Sequence, residues 1–517
     1  MKNKSILSFV ASVCLLSCSV LSAGTYSGGD GTAIAPYEID NLNDLIELGD
    51  TPTDWSMHFI LTNNIEMSTL TGTDYKMIGT DYSSSFKGVF DGNNNTISNF
   101  SYADPNTTKV GLFGIATGED TVIKNLTIEN VNIEMGAGCT LIGSLCGSFS
   151  GGIVSNCKVI NVNLNGGPDG HSIGGLIGNV GGGYAVIENC SVQGTVQGRF
   201  WVGGLIGDTY FCTVRNCNFQ GDIPNFISNS RGGLVGRNYG RSVLENCYAL
   251  ANVSGASYIG GLVGDNQDGI IINCYADCDV TSTGYYAGGL VGRNWFRYSE
   301  SKIIRSYSKG LVQTSGTNYH SYYGGFIGYN DYEQGGAVIS DCYSEAQVQG
   351  NAYNVGGFCG YNNSAGQITN CYSTGQAVGN SSVGGFCGYN NGQINDSFWD
   401  TVTSGNPTSS GGTAKNTSQM YEQATFTNWD FVGETTNGTD NIWRLCVDGV
   451  DYPKLSWQFS AADFVCPDSV DLTDFAFFAA HWLIDCELYD CSRVDMNKSG
   501  DVNIDDLLEF VSYWLED

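Results

Sequence analysis

Period and pattern in this 517-residue chain predict a mainly β protein: a right-handed parallel β-helix of about ten coils, followed by a small α-helical module of paired loops. Three observations lead there. A glycine-flanked tetrapeptide, as in Gly111-Leu-Phe-Gly114 or Gly233-Leu-Val-Gly236, recurs ten times up to Gly388, with starts 28 to 36 residues apart. A period near 30 marks a solenoid or array. Between the copies, apolar and polar residues alternate in period two and are broken by Gly and Asn, which excludes helical repeats. Over the last 59 residues the pattern turns helical and repeats at an interval of 32, as Asp463 with Asp495, Asp474 with Asp506 and Trp482 with Trp514.

The elements follow in chain order. Residues 1–23 combine Lys2 and Lys4 with an uncharged apolar run, Ile6 to Leu21, and small residues Ser22 and Ala23. That is the pattern of a secretory leader. Leu15-Leu16-Ser17-Cys18 also matches a lipobox, with Cys18 as a lipid anchor. Either way the mature chain is expected outside the cytoplasm, secreted or at the cell surface. No later stretch is apolar for the ~18 residues of a membrane span. Residues 24–105 are expected to cap the solenoid, since open β edges aggregate. They hold a short helix around Leu42, Leu45 and Ile46, and strands at His58–Thr62 and Phe86–Gly92. Residues 106–400 form the coils, each with three short strands and three turns. Nine steps of about 4.8 Å make a shaft of about 43 Å. Residues 401–458 start as a polar loop and become rich in Trp429, Phe431, Trp443, Tyr452 and Trp457, a second cap. Residues 459–517 are the helical module.

Columns of the stack can be read across repeats. Cys157, Cys190, Cys217, Cys247, Cys274, Cys342 and Cys371 share one inward position, with Ser306 and Ser397 in its gaps. Cβ atoms on adjacent parallel coils lie nearer 4.8 Å than the ~3.8 Å of a disulfide, so these thiols are expected buried and unpaired. Asn residues precede six of these cysteines. A second Asn column runs through Asn238, Asn266, Asn294, Asn330, Asn362 and Asn390. Asparagine tolerates left-handed turns and ladders through its amide. Arg237, Asp265 and Arg293 form an outward column of alternating charge, as do Glu188, Arg215 and Glu245.

Composition excludes several functions. Acids outnumber bases 52 to 22, a formal charge of -30. Nucleic acid and anionic lipid require clustered Lys/Arg, so neither is an expected partner. The four histidines, His58, His171, His320 and His481, form no HExxH, and no Walker loop is present.

The Gly-Leu-Val-Gly repeats with trailing Asn-Cys-Tyr resemble the GLUG motif of bacterial surface and secreted proteins. The resemblance covers residues 111–400 and implies extracellular solenoids, often adhesive and sometimes fused to an enzyme domain.

In the module at the end of the chain, the second loop runs Asp495-Met-Asn-Lys-Ser-Gly-Asp-Val-Asn-Ile-Asp-Asp506. Asp495, Asn497, Ser499, Asn503 and Asp506 supply side-chain oxygens and Asp501 a carbonyl, with Gly500 at the sharp turn. This is calcium-loop spacing with Asp in place of the final Glu. In the first loop Val465 and Pro467 replace two ligands and Asp468 replaces the glycine. Only Asp463, Asp471 and Asp474 remain, a degenerate site. Among Cys446, Cys466, Cys486 and Cys491 one disulfide could stiffen this half, in a pairing the sequence leaves open. The duplicated unit resembles a type I dockerin. That resemblance implies calcium as cofactor and a cohesin-like partner, with Leu472-Thr473 and Ile504-Asp505 at the recognition positions.

No catalytic constellation emerges. Glycosidases need two carboxylates about 5–10 Å apart. Asp277 with Asp279, and Asp331 with Glu333, share faces, but neither pair stacks on an acid of the next coil. The expected function is therefore non-catalytic binding of glycan or a partner protein along the shaft. The alternatives are a carbohydrate-active β-helix hydrolase or lyase in polysaccharide catabolism, and a structural surface-layer spacer. Two aromatic groups support binding. Tyr248, Tyr275, Tyr307, Tyr343, Tyr372 and Phe398 each follow the inward Cys/Ser position, which turns them outward, to bind ligand or merely to stack on neighbouring coils. The longest repeat gathers Trp295, Phe296, Tyr298, Tyr319 and His320, with Tyr322 and Tyr323 beside them, as the candidate binding patch.

Overall fold

The computed structural model describes residues 24–224, 229–314, 321–332, 336–434, 436–465, 470–484, 486, 491 and 493–514. The expected leader with Cys18, and Tyr319, His320, Glu333, Cys466, Pro467 and Asp468, lie outside the described residues.

The shaft is a parallel β-solenoid. Its strands form four long sheets of 13, 15, 10 and 10 strands, and successive members of a sheet come from successive repeats. The register joins like to like: Tyr248 pairs with Tyr275, then Tyr307, Tyr343 and Tyr372. Each complete coil therefore has four strands, where the sequence pattern suggested three. One coil runs Val235–Tyr239, Val243–Glu245, Tyr248–Gly255 and Ser257–Gly260. The extra division arises at the glycine tetrapeptide. Gly233 donates to the Gly261 carbonyl at 2.9 Å, and a Cβ on Gly233 would lie 2.1 Å from that oxygen. A side chain on Gly233 would meet that oxygen, and the chain bends here so that one expected strand becomes two.

Ladders run along the stack. Asn156, Asn189, Asn216, Asn246, Asn273 and Asn370 all sit at φ between 52 and 54°. Asn238, Asn266, Asn294, Asn330, Asn362 and Asn390 donate amide to carbonyl in an unbroken chain at 2.8–2.9 Å. The seven column cysteines are buried free thiols. Cys247 donates to the Glu245 carbonyl, and Ser306 and Ser397 make the same bond two residues back. That shared geometry explains why Ser and Cys interchange in this column.

Both flanking segments differ from simple end caps. Tyr37–Ile39, His58–Leu61 and Val89–Asp91 extend the thirteen-stranded sheet ahead of Val122–Lys124, so residues 24–105 begin the solenoid themselves. The helix Leu42–Asp50, capped by the Asn41 side chain on the Asn43 amide, buries Leu45 and Leu48. At the other end Thr413–Lys415 adds a last parallel strand to Phe398–Asp400. Residues 417–458 then run back along the side of the shaft. Their tryptophans bond to it in order: Trp429 to the Asp396 carbonyl, Trp443 to the Asp341 carboxylate and Trp457 to the Arg305 carbonyl.

Candidate functional site

That flanking segment lies on the aromatic column. Tyr248, Tyr275, Tyr307, Tyr343 and Tyr372 stack at 4.9–5.0 Å with rings within 8° of parallel. Tyr343 and Tyr372 are fully buried, and Tyr307 and Phe398 nearly so, in a core shared with Trp429 and Trp443. Alternation does turn the column outward from the coils, but residues 417–458 of the same chain cover half of it. Tyr372 donates to the Pro453 carbonyl at 2.7 Å and Tyr343 bonds Gln458. This half is structural and is not a ligand surface. Burial holds the Tyr343 and Tyr372 hydroxyls well above the ordinary tyrosine range.

The predicted patch divides. Trp295 is half-buried with the Arg293 guanidinium 4.3 Å over its ring, and its buried Nε1 has no hydrogen-bond partner among the described residues. Phe296 lines a hollow with Arg241 and Ile270. Tyr298 is 68% exposed on a loop shaped by buried Asp268, which accepts from the amides of Arg297, Tyr298 and Ser299 at 2.6–3.2 Å. Tyr323, expected on the patch, is 1% exposed and donates to the Gly284 carbonyl. It follows Tyr322 on one strand, so alternation sends the two to opposite faces.

Tyr322 belongs to a longer feature that sequence reasoning saw only in fragments. Tyr258, Tyr286 and Tyr322 stack along one sheet at 5.1 and 5.4 Å. Tyr329, Tyr361 and Tyr389 stack along the adjacent sheet at 5.1 and 5.2 Å. The columns touch where Tyr286 meets Tyr329 at 4.9 Å and Tyr322 meets Tyr361 at 5.1 Å. Toward the N-terminus Asp208, Arg237, Asp265 and Arg293 continue the second column in register. Arg237 and Arg293 grip Asp208 and Asp265 through Nε and Nη2 at 2.7–2.9 Å. They also lie over Trp201 at 3.8 Å and Tyr258 at 4.4 Å. The result is a half-exposed strip of rings and neutralised guanidinium groups, from Trp201 to Tyr389. It crosses seven coils, about 29 Å at the parallel-strand spacing. The signal was in the sequence, because Tyr329, Tyr361 and Tyr389 follow their tetrapeptides at a constant interval.

Asp277 and Asp279 line a groove of about 410 Å³ with Asp222, Gln220 and Asn252. Asp222 accepts from Asn252 at 2.8 Å. Asp331 accepts from Asn363 at 2.7 Å.

In the last module, Leu472–Ala480 and Ile504–Trp514 are helices. The inner faces run through Asp474 with Phe478 and Asp506 with Phe510. Leu472, Phe475, Ile504 and Val511 are exposed on the outer faces. Asp506 accepts from the amides of Asn497 and Asn503 at 3.1 and 2.9 Å, closing the loop. Asp495 accepts from the amides of Ser499 and Gly500, Ser499 Oγ bonds the Asp501 carbonyl, and Asn503 does the same. Among the described residues no three His, Cys, Asp or Glu side chains converge as a metal cluster. Asn497 Oδ1, Ser499 Oγ and the Asp501 carbonyl, all hard oxygens, likewise take part in hydrogen bonds within the loop. Cys486 and Cys491 form a disulfide, and Cys446 is also disulfide-bonded.

The GLUG motif model matches residues 169–197, 255–281 and 351–378, each holding one tetrapeptide and one column cysteine. Halomucin of Haloquadratum walsbyi is 31% identical over 246 residues, which is 46% of this chain and 2% of that protein. The chain thus spans a small fraction of that relative's length. A solved chain from Bacteroides ovatus, described as a candidate immunoglobulin A1 protease, aligns with TM-score 0.33 and 18% identity over 69% of this chain and 87% of that one.

Proposed function

We propose that this GLUG-repeat β-solenoid is a non-catalytic binding protein of the cell surface or extracellular medium, with the Trp201–Tyr389 strip as its site for an extended neutral glycan. The strip itself carries the reading. Exposed aromatics in a continuous row are unusual unless they bind. Within the stacks ring faces are covered by neighbours, so the strip offers ring edges, phenol hydroxyls and guanidinium N–H groups. Those donors and edges suit a hydroxyl-rich polymer laid along the shaft. The paired Arg and Asp leave no net charge to favour a polyanion, and the chain's overall charge of -30 opposes one. The Met1–Ala23 leader pattern and the mucin-like relative support an extracellular location.

The tail would serve docking, through the exposed stripe of Leu472, Phe475, Ile504, Leu508 and Val511. Calcium would be held by Asp495, Asn497, Ser499, the Asp501 carbonyl, Asn503 and Asp506, where it would tie the loop to the base of the last helix. A cohesin-like partner is the corresponding occupant of the stripe. The acidic groove at Asp222, Asp277 and Asp279 favours a second reading, a polysaccharide hydrolase or lyase.

A glycan array with hydrolysis assays on the same preparation tests both. Binding without turnover is expected, and the double variant Trp295→Ala, Tyr322→Ala should weaken it at least tenfold. Unchanged binding of a confirmed ligand would remove the strip from the account. Cleavage lost in Asp277→Asn would establish the second reading instead.

A further inference from the structure

The two loops of the tail share a frame and differ in one respect. Asp474 accepts from the amides of Val465 and Asp471 at 2.7 and 2.9 Å, as Asp506 does from Asn497 and Asn503, the residues 32 positions later. Both carboxylates are fully buried. The opening aspartates then diverge. Asp495 accepts from amides of its own loop, at Ser499 and Gly500. Asp463 instead faces Arg444, whose Nη2 lies 2.9 Å from its Oδ1, with both side chains buried.

The residues present do not fit a metal in the first loop. Val465 has no side-chain donor, and the Asp463 carboxylate is already held by the Arg444 guanidinium. A second guanidinium is also there: Arg493 donates to the carbonyls of Asp463 and Phe464. One guanidinium thus holds the Asp463 side chain and a second its backbone.

We infer that Arg444 takes the place of a metal ion in the first loop and fastens the tail to the shaft, whatever occupies the second loop. The strand Trp443–Arg444 makes this a mechanical link. It pairs antiparallel with Lys454–Leu455, and alternation points its two side chains in opposite directions. Trp443 sinks into the aromatic column and bonds Asp341 of the shaft at 3.3 Å. Arg444 turns the other way, over the Phe459 ring at 4.4 Å, and reaches Asp463. The neighbouring Lys454 pairs with Glu345 of the shaft. A planar, permanently charged fork suits such a site, because it cannot be stripped by a chelator or by dilution.

Calcium titration of the full chain by calorimetry, with hydrogen exchange followed by mass spectrometry, tests this. Wild type is expected to bind no calcium at the first loop, and exchange across residues 459–480 should stay the same with calcium or chelator. In Arg444→Ala, exchange in 459–480 should accelerate at least tenfold in both conditions, while the strands of residues 122–304 keep their protection. If that variant does not fold, Asp463→Asn decides: it keeps the shape, removes the charge, and should accelerate the same segment to a smaller degree. Two calcium ions in wild type, with one lost in Asp463→Asn, would overturn the inference. So would unchanged exchange across 459–480 in the variant that folds.

Discussion

Two tyrosine surfaces run along this shaft on the same coil spacing, one a single column and the other a pair of touching columns, and their roles differ. Tyr248 to Tyr372 stack almost parallel, within 8°, and residues 417–458 cover the last three. In the Tyr258–Tyr286–Tyr322 and Tyr329–Tyr361–Tyr389 columns the rings tilt against one another by up to 38° where the columns meet, and the surface stays open. Stacking geometry is thus common to both and distinguishes neither. What covers a column decides whether it is core or site.

The largest effect should come from uncovering the first column. Trp443→Ala removes a fully buried indole and its bond to Asp341, at a cost of about 3–5 kcal/mol. The flanking segment should lose its exchange protection while residues 122–304 keep theirs. Loss of protection throughout would show that the column is needed by the coils themselves.

Alkaline titration separates the columns next. Tyr343 and Tyr372 ionise above the ordinary range when folded, because of burial. Their stabilisation is complete below the unfolded value of about 10 and is lost as pH rises toward the folded values. The flanking segment should therefore unfold in strong alkali, with those two phenolates appearing only as it does. Tyr286 of the open strip, raised to about 12 by burial and its tyrosine neighbours, should ionise without unfolding. A single transition shared by both columns would erase the distinction.

A smaller stability effect is expected on the open strip. Tyr286→Ala should cost about 1 kcal/mol, the scale of a cross-strand aromatic pair, while glycan binding falls at least tenfold. A large stability loss with binding intact would move this strip into the structural class as well.

The smallest effect belongs to a third column. Cys247→Ser should change stability by about 1 kcal/mol or less, since Ser306 and Ser397 already make the same carbonyl bond. Native thiols should also resist alkylation; burial raises Cys146, Cys212 and Cys278 to about 12. Rapid modification of folded protein would show that the coils open.

Much of this was legible from residue spacing. A parallel stack repeats one local environment, so identity at a fixed interval is identity of place: the glycine corners, both Asn ladders and the thiol column follow directly. The Arg237–Asp265–Arg293 alternation also follows. Exceptions to a column carried information that a search for regularity passes over. The Asn column becomes Arg305, Asp341 and Asp396 at the coils where Trp457, Trp443 and Trp429 attach.

The sequence by itself thus determined the solenoid, its register and which side of each strand faces inward, because period-two alternation and stacking are local and repeat with the chain. Only the tertiary structure decided which outward column stays open and that Arg444 meets Asp463. Those outcomes depend on where the last hundred residues fold back, and no periodicity encodes a contact made once, between Trp443 and a shaft residue 102 positions earlier.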